Sequence, residues 1–350
     1  MKNKIIVSVI AVFFLGLSIW NVMGEKLDYS ESERRVLAQV PKFGENFVNE
    51  WETYVADHFP SRDVWRSIKS YMNTELFCKK DYHDIYQVGE HLVEMEYPMN
   101  TKLLDYAIDG FKELEEKYFP EQNVYIAVIP DKNRYLAAES GHLSMDYEAF
   151  SKYISEGMKD ATYIEMADLL SAEDYYYTDM HWRQEKIVDV AQHLGNKMGV
   201  QIEAEYKEQI LDVPFQGVYV GQYGQKSISD EIKCLSNDAI EHLQIEGADA
   251  VYDLKKGNGK DPYEVFLSGN QPIVKIKNPQ IKEEKRLIIF RDSFASSLAP
   301  LLATGYSEMV LVDLRYVSNS KLEEFISFEN ADVLFLYSTT MLNRANSMNL

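Results

Sequence analysis

Cysteine is scarce: the chain of 350 residues has two, Cys78 and Cys234. That count rules out a disulfide-stapled scaffold and leaves two options, a single bridge in an exported domain or two buried free thiols. Positive charge is short as well. With 36 lysines and arginines against 56 acids, the net charge is -20. A chain so acidic repels polyanions, so nucleic acid and an anionic lipid surface are excluded as main partners; solubility alone accounts for the excess. No internal repeat or low-complexity tract is present. Metal-ligand clusters are missing too: His83 and His91 flank a predicted hairpin without further ligands at suitable spacing, so neither metal nor cofactor is expected.

One long apolar run stands out, Ile5 to Met23, preceded by Lys2 and Lys4. As a helix it would span roughly 28 Å, close to the bilayer core of about 30 Å. The flanking charges put the N-terminus inside and the rest outside. Val22-Met23-Gly24 is a poor cleavage site, so residues 1–24 read as an uncleaved anchor, with a cleaved signal peptide and secretion as the alternative.

Residues 25–80 read as a stalk and juxtamembrane helices, broken where Pro60 follows Asp57-His58-Phe59. Asp84 to Glu94 suggests a hairpin around Gly89-Glu90. From residue 101, helical periods alternate with short apolar strands (Val124–Ile129, Leu287–Phe290, Met309–Leu314, Val333–Tyr337). That pattern predicts an α/β domain over 81–350 with a parallel sheet covered on both faces. Residues 205–280 read as an inserted or irregular subregion, in which Gly217, Gly221 and Gly224 interleaved with Tyr219 and Tyr223 suggest a β-hairpin, or the lining of a polysaccharide groove. Aromatic content of 13%, including 24 tyrosines, suits a surface that handles sugars.

Two stretches carry chemistry. Tyr177-Thr178-Asp179-Met180-His181-Trp182 offers an acid and an imidazole two positions apart, just before a helix. Leu287-Ile288-Ile289-Phe290-Arg291-Asp292-Ser293-Phe294 puts a serine where a strand gives way to a helix. A serine needs a base, and a carboxylate fixes the tautomer of that base. Ser293, His181 and Asp179 therefore form a candidate nucleophile, base and orienter. Each motif has a bland reading as well: Asp-x-His pairs arise by chance, and Asp292 also suits a helix cap. Lys132, at a strand's C-terminal end, is a candidate for a substrate or structural role at the site, or else an exposed turn lysine. Trp182 is expected to pack beneath the histidine loop or to stack on a sugar.

The ensemble resembles the DHHW family of bacterial cell-envelope proteins, which are similar to the AlgJ and AlgX alginate O-acetyltransferase group. The shared features run from Ser30-Glu31-Ser32-Glu33-Arg34-Arg35-Val36-Leu37 and Asp57-His58-Phe59-Pro60-Ser61-Arg62-Asp63 through Ile129-Pro130-Asp131-Lys132 and Thr178-Asp179-Met180-His181-Trp182. They continue with Phe266-Leu267-Ser268-Gly269-Asn270, Arg291-Asp292-Ser293 and Val312-Asp313-Leu314-Arg315-Tyr316. The resemblance implies an SGNH-hydrolase-like fold with Ser293, His181 and Asp179 as the triad. Met180 departs from the family's histidine, and Arg291 from the glycine of a Gly-Asp-Ser block. With that glycine gone, the Ser293 amide is the best oxyanion donor, with Asn270 and Arg315 as helpers. The expected function is an extracytoplasmic O-acyltransferase acting on a polysaccharide acceptor, its acyl donor supplied by a membrane-bound acyltransferase. A carbohydrate esterase with the same triad and a non-catalytic glycan-binding or assembly protein are the alternatives.

Overall fold

The structure is a computed structural model and describes residues 2–24, 26–30, 32–224 and 228–350. Glu31 of the first shared stretch lies outside the described residues. The chain forms two compact units, Met1–Ile85 with Val218–Ser227, and Tyr86–Gly217 with Ile228–Leu350.

In the first unit, Lys2–Met23 is helical, and its Lys4–Asn21 stretch has a mean hydropathy of 2.0, long and apolar enough to cross a membrane by length and composition. The polar stretch after it makes a short antiparallel pair, Tyr29–Ser30 with Arg35–Val36. Helices Phe47–Asp57 and Arg62–Tyr71 follow, separated at Pro60 as its missing N–H and fixed φ require. The expected hairpin at the Gly/Tyr tract is instead a short helix, Val218–Tyr223. Tyr219 and Tyr223 are four positions apart and both buried, a helical rather than a strand period. Gly221 lies so close to the Ser32 backbone that a Cβ would sit 1.3 Å from its carbonyl oxygen.

The second unit is built on a seven-stranded sheet. Its strands in chain order are β1 (Val124–Ile129), β2 (Thr162–Ile164), β3 (Gln244–Glu246), β4 (Ile273–Lys277), β5 (Arg286–Arg291), β6 (Glu308–Val312) and β7 (Ala331–Ser338). The spatial order is β2-β1-β7-β5-β6-β4-β3, with parallel pairing from β2 to β6. The β6–β4 and β4–β3 pairings are antiparallel, so two antiparallel strands extend the expected parallel sheet on this side. Strands β4 and β3 both come from the stretch read as irregular, which also holds the antiparallel pair Lys207–Ile210 and Lys233–Ser236. The alternation Ile273-Val274-Lys275-Ile276-Lys277, with Val274 and Ile276 buried, is the period-two signature of a strand covered on one face.

The central strands are apolar on both faces because helices cover both, giving a layered α/β architecture. Leu287 and Ile289 of β5 pack with Val190 and Leu194 of helix Val188–Lys197 and with Leu298 of helix Ala295–Leu302. Ile288 and Phe290 face the opposite way, towards Phe111 of helix Thr101–Tyr118 and Phe150 of helix Tyr147–Gly157. Burying Phe290 fully contributes about 1.5–3 kcal/mol. The carboxyl ends of β1, β5, β6 and β7 thus open on one edge, where polar residues gather. Both cysteines are free thiols; Cys234 is buried, whereas Cys78 is exposed rather than buried.

Candidate active site

The acid–base loop is a tight reversal. Tyr175 bridges Trp182, and the Tyr176 amide donates to the His181 carbonyl at 3.0 Å. The segment entering the turn is held by two buried opposite charges. The Asp230 carboxylate accepts from the Tyr177 amide (2.7 Å), the Thr178 amide (2.8 Å) and the Thr178 hydroxyl (2.5 Å). From the other side, Lys132 Nζ donates to the Tyr176 and Tyr177 carbonyls at 2.9 and 3.2 Å. Burial pulls the Lys132 ammonium down to about 7, opposed by the charges of Asp230 and Asp179. Gly217 closes over the loop, its amide donating to the Thr178 hydroxyl at 2.8 Å. A Cβ there would come within 2.4 Å of the Asp179 Cβ.

Ser293 follows β5 and precedes helix Ala295–Leu302. The turn is fixed by Asp292, whose carboxylate accepts from the Phe294 amide at 3.0 Å and from the Ser338 amide at the end of β7 at 2.8 Å. Trp182 joins the two stretches: its indole N–H reaches the Phe294 carbonyl and the Ser297 hydroxyl, both at 3.0 Å. Gln184 adds a second tie, donating to the Ser297 carbonyl at 2.6 Å.

These supports bring three side chains into line. Asp179 Oδ1 lies 2.6 Å from His181 Nδ1 and also accepts from the His181 amide at 3.1 Å. His181 Nε2 lies 2.8 Å from Ser293 Oγ. An ionised Asp179 only accepts, so it places the imidazole proton on Nδ1 and leaves Nε2 to accept from the serine hydroxyl. The Tyr263 ring stacks on His181 at 3.9 Å between centroids and 13° between planes, and its hydroxyl donates to Ser297 at 3.0 Å. Asp179 and His181 are buried, while Ser293 is only half-buried and open to a reactant.

No family model matches the chain, and no curated protein sequence does. Among solved structures, a DHHW family protein from Eubacterium siraeum superposes with a TM-score of 0.58 at 19% identity, over 75% of this chain and 92% of that one. Bacillus cereus PatB1 gives 0.59 at 17% identity, over 74% and 96%, and it has also been solved with a sulfonyl adduct. The O-acetyltransferase domain of Pseudomonas putida AlgJ is a looser match, with a TM-score of 0.44 at 9% identity over 73% and 90%. The chain shares its fold with the DHHW family protein and with PatB1.

On this scaffold the remaining candidates separate. Trp182 is fully buried, so it has no ring face to offer a sugar; it ties the loop to the serine helix. Lys132 is not an exposed turn residue: it takes the structural alternative, its 2% exposure hiding an ammonium bonded to loop carbonyls. Arg315 commits Nε and one terminal nitrogen to Asp313, at 2.9 and 2.6 Å. Asn270 is exposed, and among the described residues neither it nor Arg315 hydrogen-bonds Ser293 or His181. Arg291, at the block's glycine position, is a buried cation 3.8 Å from Asp313 that also donates to the Ser296 hydroxyl.

The residues that sequence reasoning missed are Asp230, Tyr263, Gln184 and the tight approach of Gly217. Asp230 is one acid among 56 acidic residues and gives no local signal. A polar cleft of about 670 Å³ opens beside Tyr177 and Arg183, with Glu185, Asp212 and Lys233 on its walls; Ser293 and His181 do not line it.

Proposed function

We propose that the protein is a membrane-anchored, extracytoplasmic serine O-acyltransferase, most simply an O-acetyltransferase, acting on a cell-surface or secreted polysaccharide. The observation that carries this reading is the unbroken Asp179–His181–Ser293 relay at 2.6 and 2.8 Å. In the proposed mechanism Ser293 Oγ attacks the carbonyl carbon of an acyl donor while its proton passes to His181 Nε2. Asp179 stabilises the imidazolium without taking its proton. The tetrahedral oxyanion is assigned to the Ser293 amide at the start of the helix, where the helix dipole assists. Collapse returns the proton to the leaving group and leaves an acyl-serine. A sugar hydroxyl, deprotonated by His181, then attacks the ester and frees Ser293. A membrane-bound acyltransferase as the donor's source belongs to the same proposal.

The test uses a sulfonyl fluoride, in view of the adduct borne by PatB1. The full chain should gain the mass of one sulfonyl group, and Ser293→Ala should gain none. Equal labelling of both would overturn the assignment. Incubation with an acetyl ester and an oligosaccharide then separates transfer from hydrolysis: acetylated sugar supports the transferase, and acetate alone supports the esterase.

A further inference from the structure

Helix Arg62–Tyr71 is built inside out. Its arginines point inward: Arg62 and Arg66 are ion-paired with Glu33 at 2.5 and 3.1 Å, with side chains only 18% and 16% exposed. Its apolar residues point outward. Val64, Trp65, Ile68 and Tyr71, with Leu76 and Phe77 beyond, are 45–64% exposed. The spacing from Val64 to Ile68 to Tyr71 is that of one helical face, and the wide turn Met72–Leu76 carries the chain on to Leu76 and Phe77. A water-facing helix has the opposite polarity, and an apolar surface of this extent marks something that covers it.

Three observations identify the cover as lipid. First, Asn21, the last residue of the apolar Lys4–Asn21 stretch, donates from Nδ2 to the His58 carbonyl at 3.1 Å, so the end of that stretch lies against the turn that leads into the helix. Second, the outward residues include Trp65 and Tyr71, and Trp51 and Phe47 of the preceding helix stack 6.0 Å apart, with Phe43, before that helix, 4.4 Å from Phe47. Tryptophan and tyrosine, here Trp51, Trp65 and Tyr71, favour the bilayer interface. Third, residues 1–85 hold eleven lysines and arginines against twelve acids, so nearly all of the -20 net charge lies elsewhere in the chain. The repulsion that keeps the acidic remainder off a membrane does not act on this unit.

We propose that the exposed apolar face of Arg62–Phe77 lies in the outer bilayer interface, giving the protein a second membrane contact beside its N-terminal helix. Cys78, exposed and next to Phe77, is a native site for testing it, since the other thiol, Cys234, is buried. The full chain, labelled at Cys78 with an environment-sensitive fluorophore, is reconstituted in phosphatidylcholine vesicles containing lipids spin-labelled either near the headgroup or at mid-chain. Near-headgroup labels should quench at least about two-fold more than mid-chain labels, and aqueous iodide should quench weakly. Introducing Ile68→Glu together with Leu76→Glu should lift the fluorophore and cut shallow quenching several-fold while the protein stays vesicle-bound; both positions are exposed, so folding does not depend on them. Full iodide quenching of the parent without lipid quenching would overturn the proposal. So would a blue-shifted label insensitive to both quenchers, which would mean that protein covers the face, or a double substitution without effect.

Discussion

Asp230→Asn is the most informative single perturbation of the site. One carboxylate takes three hydrogen bonds from the two residues that precede Asp179, at 2.7, 2.8 and 2.5 Å. Asparagine keeps one acceptor oxygen and turns an NH₂ towards at least one backbone N–H. A buried donor left without a partner costs about 1–3 kcal/mol, and the surviving bonds lose charge assistance worth about half their strength. The sum is a loss of roughly 3 kcal/mol, concentrated on a loop. If the loop alone yields, the competent arrangement of Asp179 and His181 becomes about 150-fold rarer, since about 1.4 kcal/mol corresponds to a factor of ten. The expected result is therefore a fall of about 10²-fold in kcat/KM for acetyl-ester turnover, with little change in KM. Thermal unfolding supplies the control: Ser293→Ala should abolish turnover at an unchanged Tm, whereas Asp230→Asn should lose both turnover and a few degrees. Turnover within about three-fold of the parent would refute the reasoning, because the loop would then hold its geometry without the carboxylate.

Three further outcomes are expected. Trp182→Phe keeps the ring but strips the Phe294 carbonyl and Ser297 hydroxyl of their shared donor; it should cost about 2 kcal/mol in urea unfolding and about ten-fold in kcat. Lys132, pulled down to about 7 by burial, binds fewer protons folded than unfolded above that pH, so stability should rise from about pH 7 towards pH 10. Lys132→Met should abolish that rise, on the order of 4 kcal/mol, when unfolding is measured at pH 6.5 and pH 10. Glu96 has the opposite sign. Burial raises its carboxyl to about 7 against the pull of Arg344 and the Asn343 hydrogen bond, so the folded state holds the extra proton, and stability should fall as pH rises from about 4 to 7. Glu96→Gln should remove that loss of about 3 kcal/mol; a pH profile unchanged from the parent would sink this account.

Much of the fold was legible because its physics is local. β1 and β5 are continuous apolar runs, as strands covered on both faces must be, and the helix after the Asp-His motif shows its period through Val190, Ala191 and Leu194. The two site stretches were legible for a related reason: an acid two residues before an imidazole, and a serine at a strand–helix turn, state their chemistry within a few positions. Direction was harder to read. The apolar spacing of Val64, Ile68 and Tyr71 announces an amphipathic helix, yet periodicity alone does not say which face meets the protein, and here the arginines do. The Gly/Tyr tract misled because glycine suggests a turn, while Gly221 is there for close approach to Ser32 within a helix.

What sequence order hides at the site is its bracing, and the bracing has a common form. Asp230 lies 52 positions from Thr178, and Lys132 lies 44 from Tyr176. Each satisfies backbone groups of a loop too short to satisfy its own, and burying such groups unpaired costs more than the bonds return. A carboxylate for the N–H groups and an ammonium for the carbonyls is the pairing of lowest cost, since each charge also offsets the burial of the other: Asp230 is the leading influence holding the Lys132 proton on. The two braces are therefore coupled. Removing Asp230 should drive Lys132 further towards neutrality, and the double variant Asp230→Asn with Lys132→Met should cost less than the sum of the two single changes. Chemistry read from adjacent residues and geometry enforced by distant opposite charges are separate layers of the same site.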